Sequence, residues 1–287
     1  MRITVRNSMK KYQLGLYEKA MPSSWSWVEK LSAAKTAGFD FLEISIDETD
    51  DKLNRLINKK ELDSIKQAME LTGFPIRTMC LSGHRKYPLG SNNEQTVVRS
   101  LEIMEHAIDM ADQLGIRIIQ LAGYDVYYEE GSEVTRERFA KNLRVAVEMA
   151  SKKSIVLGFE TMETAFMDTV TKAMNYLEII DSPYLQVYPD MGNLTNASKL
   201  YGHDVLEDIL RGKGHIAAAH IKETIVGHYR EIPFGTGHVD FNRCISTFWN
   251  LGVRMFTAEF WYDKNTDAME ILKYNQQFVS QKIEESA

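Results

Sequence analysis

The chain has 287 residues, of which 44% are hydrophobic and 26% charged, and carries a formal net charge of −6. This is an ordinary globular composition with apolar material for one sizeable core. The acidic balance argues against a general binder of nucleic acid or of an anionic membrane surface, since both need a basic footprint; it leaves room for a small anionic substrate held by a few local cations.

In chain order, the basic start MRITVRNSMKK is followed by no apolar stretch, so it does not read as a secretory leader, and residues 1–12 read as a loose N-terminal extension. Gln13–Tyr17 is the first β-rich run. The helical segment after it has Trp27, Leu31 and Ala34 on one face, with Ser23 or Ser24 as its cap and Gly38 as its stop. FDFLEISI is the second run, followed by the polar stretch DETDDKLNRL and a helical ELDSIKQAMELTG. IRTMCLSGHR is the third, followed by a helix from about Asn93 to Leu114 with Gly115 as its stop. The fourth, IRIIQLAGYD, leads to a helix over Thr135–Ala150, and the fifth, SIVLGFETM, to one over Thr169–Ile180. The sixth, YLQVYPDMGN, precedes a helix over His203–Leu210. The seventh, IAAAHIKE, is followed by a long loop and the segment Phe241–Leu251; RMFTAEFWY is the eighth, with a terminal helix from near Thr266.

Eight strand-like runs, each followed by a helix, repeat at roughly 35 residues, the order of a barrel unit. Such alternation requires parallel strands joined by right-handed crossovers, and eight units predict one (β/α)₈ barrel domain over 1–287. The open doubly wound sheet is the competing architecture, but no strand–Gly-x-Gly-x-x-Gly–helix unit supports it. No window reaches the eighteen apolar residues of a membrane span. Cys80 and Cys244 stand alone, without a C-x-x-C pair, and read as buried structural thiols in a reducing cytoplasm.

Catalytic groups of such barrels lie at the C-terminal ends of strands. Glu18, Glu43, His84, Glu160, Asp190, His220 and Glu259 fall at the ends of runs. The last four stand at near-repeat intervals, 30, 30 and 39 residues apart, and so at similar height on four consecutive strands. Three carboxylates and an imidazole form an oxygen-and-nitrogen ligand set for one divalent ion such as Zn²⁺, Mn²⁺, Co²⁺ or Mg²⁺. His106 and His203 sit within or beside helices and read as solvated or packing residues, and the acidic Asp47–Asp51 run as a solvated loop. Trp25 and Trp27 suit either the barrel mouth or the core, and the Tyr124–Tyr128 aromatics could shape a lid.

Several long strings carry a resemblance: GLYEKA at Gly15–Ala20, AKTAGFDFLEISIDETDD at Ala34–Asp51, MCLSGHRKYPLGS at Met79–Ser91, GIRIIQLAGYDVYYEE at Gly115–Glu130, YPDMGNL at Tyr188–Leu194, HIKET at His220–Thr224 and PFGTGHVDF at Pro233–Phe241. Over nearly its whole length the chain resembles the bacterial L-ribulose-5-phosphate 3-epimerases (also called L-xylulose-5-phosphate 3-epimerases) of the xylose-isomerase-like barrels. The resemblance implies metal ligation by Glu160, Asp190, His220 and Glu259, with Glu160 and Glu259 doubling as the acid/base pair. It also implies a homodimer serving L-ascorbate or related pentose catabolism. Inverting C3 of a 2-ketose phosphate removes a proton beside the carbonyl and returns one to the opposite face of a planar enediolate, which calls for two groups rather than one.

The substrate phosphate needs cations and N–H donors. Lys222 is the best single cation, with Lys19, His84 and Arg85 as further candidates; Gly235, Thr236 and Gly237 of PFGTG could offer backbone N–H groups. Glu43 is a candidate for binding sugar hydroxyls. Asn193 stands where related free-ketose epimerases usually carry His, and Glu223–Tyr229 lacks their Arg, which favours a phosphorylated substrate. Three other readings stay open. An aldose–ketose isomerase would use the same site, and a barrel could bind sugar phosphate without catalysis. An abasic-site nuclease would need more metal ligands and a basic face.

Overall fold

The computed structural model describes residues 10–286. Most of the expected N-terminal extension, residues 1–9, lies outside that range, and Tyr12 is already buried against the core, so the extension stops short of it. Among the described residues are eight parallel strands: β1 Gln13–Tyr17, β2 Phe41–Ile46, β3 Ile76–Leu81, β4 Ile118–Ala122, β5 Val156–Glu160, β6 Leu185–Val187, β7 Ala219–Ile221 and β8 Met255–Ala258. They pair in the order β6-β5-β4-β3-β2-β1-β8-β7. The free edges of β6 and β7 meet through single bridges, Val187 with Ile216 and Asp190 with His220, supported by hydrogen bonds from Val187 N to His215 O and from His220 N to Pro189 O. The round is a (β/α)₈ barrel, as the repeat predicts.

The helices clothe it outside: α1 Trp27–Ala37, α2 Asp50–Arg55, α3 Lys59–Thr72, α4 Glu94–Leu114, α5 Glu133–Ser151, α6 Val170–Ile180, α7 Met191–Tyr201, α8 Val205–Arg211, α9 Phe241–Asn250 and α10 Ala268–Ser286. Side chains alternate across each strand. On β2, Leu42, Ile44 and Ile46 join the apolar cluster shared with the helices, whereas Glu43 and Ser45 bond to residues of neighbouring strands. The parallel register sets Glu43 beside Thr78 and Cys80 beside Gln120. Ala122 lies beside Glu160 and His220 beside Thr257 in the same way. A polar set is thereby stacked toward one end of an apolar fold.

Local chemistry departs from expectation at three helix starts. The cap of α1 is Ser26, not Ser23 or Ser24, because Glu29 three residues on completes a capping box with it. The stretch read as a polar loop contains α2, capped by Thr49. Helix α7 is an addition: it begins immediately after Asp190 and absorbs the end of the sixth run. Its Gly, Asn and Thr residues have weak helix propensity, and Met191–Ser198 are all buried, so no polar stripe betrays it. Gly38 and Gly115 end their helices in the left-handed conformation, as expected.

Between the first two units lies a buried charge cluster. Glu18 Oε1 is 3.0 Å from Lys30 Nζ and 2.8 Å from Lys52 Nζ, while Oε2 accepts from Arg55 at 2.7 Å and from Ser45 N at 2.9 Å. Lys30 and Arg55 also lie over the Trp27 ring, each 4.8 Å from its centre, giving that tryptophan a structural place. Burial raises the Glu18 pKa, but Lys52, Arg55 and Lys30 outweigh it and hold the carboxyl well below its usual range. Removing a partner from such a cluster leaves uncompensated buried charge. Glu18→Gln is expected to lower unfolding free energy by about 3–5 kcal/mol in urea titration. The Glu18 contribution is complete above the unfolded-state carboxylate pKa of about 4.3 and is lost as the pH falls below it toward the depressed folded value, so the gap between variant and parent should narrow in acid.

Candidate active site

Four strand ends converge. One ligand atom from each of Glu160, Asp190, His220 and Glu259 lies within 4.8 Å of the others, and all four residues are buried. His220 Nδ1 is 3.0 Å from Glu259 Oε2, 3.7 Å from Glu160 Oε1 and 3.8 Å from Asp190 Oδ2. Asp190 caps α7: its Oδ1 accepts from Asn193 N at 2.7 Å, which leaves Oδ2 turned to the cluster. Asn193 is tied down in turn, donating from Nδ2 to Thr161 O at 2.7 Å.

Three carboxylates this close cannot all ionise unaided. At an effective dielectric near 20, each like-charged pair costs about 3–4 kcal/mol, so three pairs cost on the order of 10 kcal/mol. Lys222 answers part of the demand, with Nζ 2.9 Å from Asp190 Oδ2 and 3.4 Å from Glu259 Oε2. The protons settle accordingly. Burial, then Glu259, push Asp190 up to about 8 despite Lys222, and burial likewise raises Glu160. Glu259 is driven low, because Lys222 and His220 overcome its burial. Burial opposes protonation of His220, but Glu43 and Glu259 raise it well above its usual range. A donor set of three oxygen ligands and one nitrogen, already drawing an ammonium to it, fits a divalent cation.

Above this base opens a cavity of about 250 Å³. Lys19, Arg85, Asn193 and Lys222, all anticipated, line it. Lys19 is held 2.6 Å from Asp47 Oδ2, which places that end of the acidic run in an ion pair rather than a free loop. Other expectations are corrected. His84 does not line the cavity: it is buried, its Nε2 lies 3.0 Å from Ser100 O, and burial lowers its pKa to about 4. Glu43 sits in mid-strand behind His220, since β2 continues to Ile46, and does not reach the cavity. Gly235, Thr236 and Gly237 do not line the cavity either; Glu223 takes the N–H groups of Gly235 and Val239 at 3.1 Å each, and Thr236 N bonds to Pro233 O.

Sequence reasoning missed Glu163, Tyr229, Arg230 and Trp261, which also line the cavity. Glu163 Oε1 pairs with Arg230 at 2.8 Å and lies 3.8 Å from Arg85, while Tyr124 donates to Oε2 at 3.0 Å. Glu163 follows Glu160 by three residues, a hint available in ETME; Arg230 comes from an irregular loop with no period to flag it. The Tyr124–Tyr128 aromatics cluster beside the cavity without lining it: Tyr124 bonds to Arg85 and Glu163, and Tyr127 is edge-on to both Tyr124 and Tyr128. Cys80 also lines the cavity, and burial raises its thiol pKa, so it is a poor nucleophile.

Residues 31–282 match the xylose isomerase-like TIM barrel family. An L-ribulose-5-phosphate 3-epimerase, UlaE, of Escherichia coli K12 is 43% identical over 267 residues, covering 92% of this chain and 93% of the relative. The chain belongs to the L-ribulose-5-phosphate 3-epimerases of this barrel family. The Escherichia fergusonii UlaE matches with the same identity and coverage. Solved epimerases share the fold at lower identity. A Methylomonas D-allulose 3-epimerase in complex with D-allulose superposes with TM-score 0.78 at 18% identity, over 95% of this chain and 98% of that one. An L-ribulose 3-epimerase gives TM-score 0.75 at 19% identity, over 96% and 95%.

If these four residues take up a divalent ion, the protons on Asp190 and His220 must leave. Apparent metal affinity is therefore expected to rise with pH through about 8, where Asp190 titrates, and to go on rising until His220, held well above its usual range, gives up its proton, with proton release on binding. Calorimetric titration of the metal-free protein with Mn²⁺ in buffers of different ionisation enthalpy measures that release directly.

Proposed function

We propose that the protein is a metal-dependent epimerase interconverting L-ribulose 5-phosphate and L-xylulose 5-phosphate. The observation that carries the reading is the placement of Glu160 and Glu259 on either side of Asp190 and His220 at one barrel mouth, in a chain 43% identical to L-ribulose-5-phosphate 3-epimerases. One divalent ion, Zn²⁺, Mn²⁺, Co²⁺ or Mg²⁺, suits the donor set and supplies, when bound, Lewis-acid stabilisation of the charge that develops on the substrate's C2 oxygen.

The chain's own groups move the proton. Glu160 closes β5 and Glu259 follows β8, so a flat enediolate between them presents one face to each. The glutamate on the side of the C3 hydrogen removes it, and the other returns a proton to the opposite face; the roles exchange for the reverse reaction. Lys222, fixed between Asp190 and Glu259, keeps positive charge against the reacting oxygens. Asn193 stays at the cavity wall, where a hydroxyl can meet it.

At the rim, Arg85 and Arg230 share the single carboxylate of Glu163, and Lys19, paired with Asp47, lines the same opening. The 5-phosphate binds there, competing with Glu163 for the guanidinium groups. Two isolated, buried thiols suit a reducing cytoplasm. The family likeness supports a homodimer and a place in L-ascorbate breakdown.

A panel of ketopentose phosphates, assayed with metal-stripped and metal-restored protein, tests the reading, and proton NMR in D₂O identifies the carbon that exchanges. Deuterium at C3 is expected, whereas uptake at C1 would make the protein an aldose–ketose isomerase. Glu160→Gln or Glu259→Gln, metal-loaded, should lose at least about 10²–10⁴-fold in turnover; near-parental C3 exchange in either would rule out the two-glutamate scheme. Arg230→Ala should raise KM for the phosphorylated ketose by about 10–100-fold, on the scale of a lost hydrogen bond to a charged group, with little change for the free sugar.

A further inference from the structure

Behind the four candidate ligands the barrel interior holds a fourth carboxylate that the proposed proton transfers do not use. Glu43, fully buried in the middle of β2, reaches across to β7 and places Oε1 2.6 Å from Nε2 of His220. Its other oxygen accepts from Thr78 Oγ1 at 2.8 Å and from the Tyr188 hydroxyl at 2.9 Å. Tyr188 OH also meets Thr257 Oγ1 at 2.7 Å, and the Tyr188 ring stands edge-on to the imidazole with centres 5.0 Å apart. Gln120, from β4, touches the ring as well, its Nε2 3.1 Å from each nitrogen. Gly158 makes room for this array: a Cβ there would come within 2.9 Å of Tyr188 Cβ. Glu43, Tyr188 and Gln120 thus meet one imidazole, with Thr78 and Thr257 bracing the first two.

We propose that Glu43 is a positioning residue that sets the ring orientation and tautomer of His220 for divalent-metal binding. An imidazole can carry its single proton on either nitrogen, and only the bare nitrogen can ligate. A carboxylate 2.6 Å from Nε2 keeps a proton there, so the proton that an incoming cation displaces is the one on Nδ1, the atom that faces Glu160, Asp190 and Glu259. The ring cannot turn over without breaking that bond, and Glu43 cannot swing away while Thr78 and Tyr188 hold its other oxygen. The negative charge behind the ring also raises the basicity of Nδ1.

This inference rests on the four residues being the metal site, and its test reads metal affinity rather than epimerisation. Co²⁺ alone serves as probe, with its dissociation constant taken from chelator competition and its coordination from visible absorption. Glu43→Gln is expected to weaken Co²⁺ binding by about 10–100-fold, the scale of such outer partners, and to shift the absorption bands. Tyr188→Phe, which leaves the His220–Glu43 contact but loosens Glu43, should give a smaller loss in the same direction. A folded Glu43→Gln protein with the parental dissociation constant and spectrum would overturn the proposal. Should Glu43→Gln not fold, Tyr188→Phe decides, and an unchanged dissociation constant would overturn the proposal in its place. A protein that fails to epimerise any ketose phosphate, yet loses Co²⁺ affinity on these substitutions, would sink the proposed reaction and keep this role for Glu43.

Discussion

Three carboxylates held within a few ångströms of one another, out of water, are the constraint to which the upper barrel is adjusted. Left alone, their repulsion would splay the strand ends or protonate the acids. Each neighbouring feature answers that repulsion. Lys222 stands between two of them, His220 sits within 4 Å of all three, and α7 begins at Asp190 so that one oxygen is spent on backbone N–H while the other faces inward. The repeat supplies the convergence, since strand ends of a parallel barrel reach one mouth at similar height.

The protein contains two carboxylate-centred clusters of opposite sense. Around Glu18, one carboxylate is surrounded by three cations, its lone pairs are filled, and burial has been fully compensated. Around Asp190, three carboxylates share one lysine and one histidine, and positive charge is in deficit. Both were strand-end acids in the sequence, and neither charge nor position told them apart. What separates them is the sign of the imbalance: the first cluster holds more cations than carboxylates, and the second is short of a cation.

The barrel was legible because its signals are local and repeated. Runs such as Gln13–Tyr17 and stops such as Gly38 and Gly115 depend on their immediate neighbours, and the four candidate ligands recur near the repeat interval. Helix α7 was illegible because burial on all sides removes amphipathic contrast and its residues are poor helix formers. The mid-strand place of Glu43 was hidden because a buried acid ahead of an apolar continuation looks like a run-end. The phosphate expectation for Gly235–Gly237 rested on composition alone, and composition cannot reveal that Glu223 takes the N–H groups of Gly235 and Val239. Arg230 is reached only through a long irregular loop, whose path is set by tertiary contacts rather than by any pattern along the chain.

The seam between β6 and β7 has a consequence for how the molecule holds together. Everywhere else adjacent strands share a ladder, but here single bridges complete the ring, and one of them pairs Asp190 with His220. A divalent ion gripped by those two side chains would rivet the barrel at its thinnest hoop, because an ion that binds only the closed ring favours it by mass action. Filling the catalytic centre and tightening the scaffold then become a single thermodynamic event, and local opening of the ring would begin where the chemistry is done.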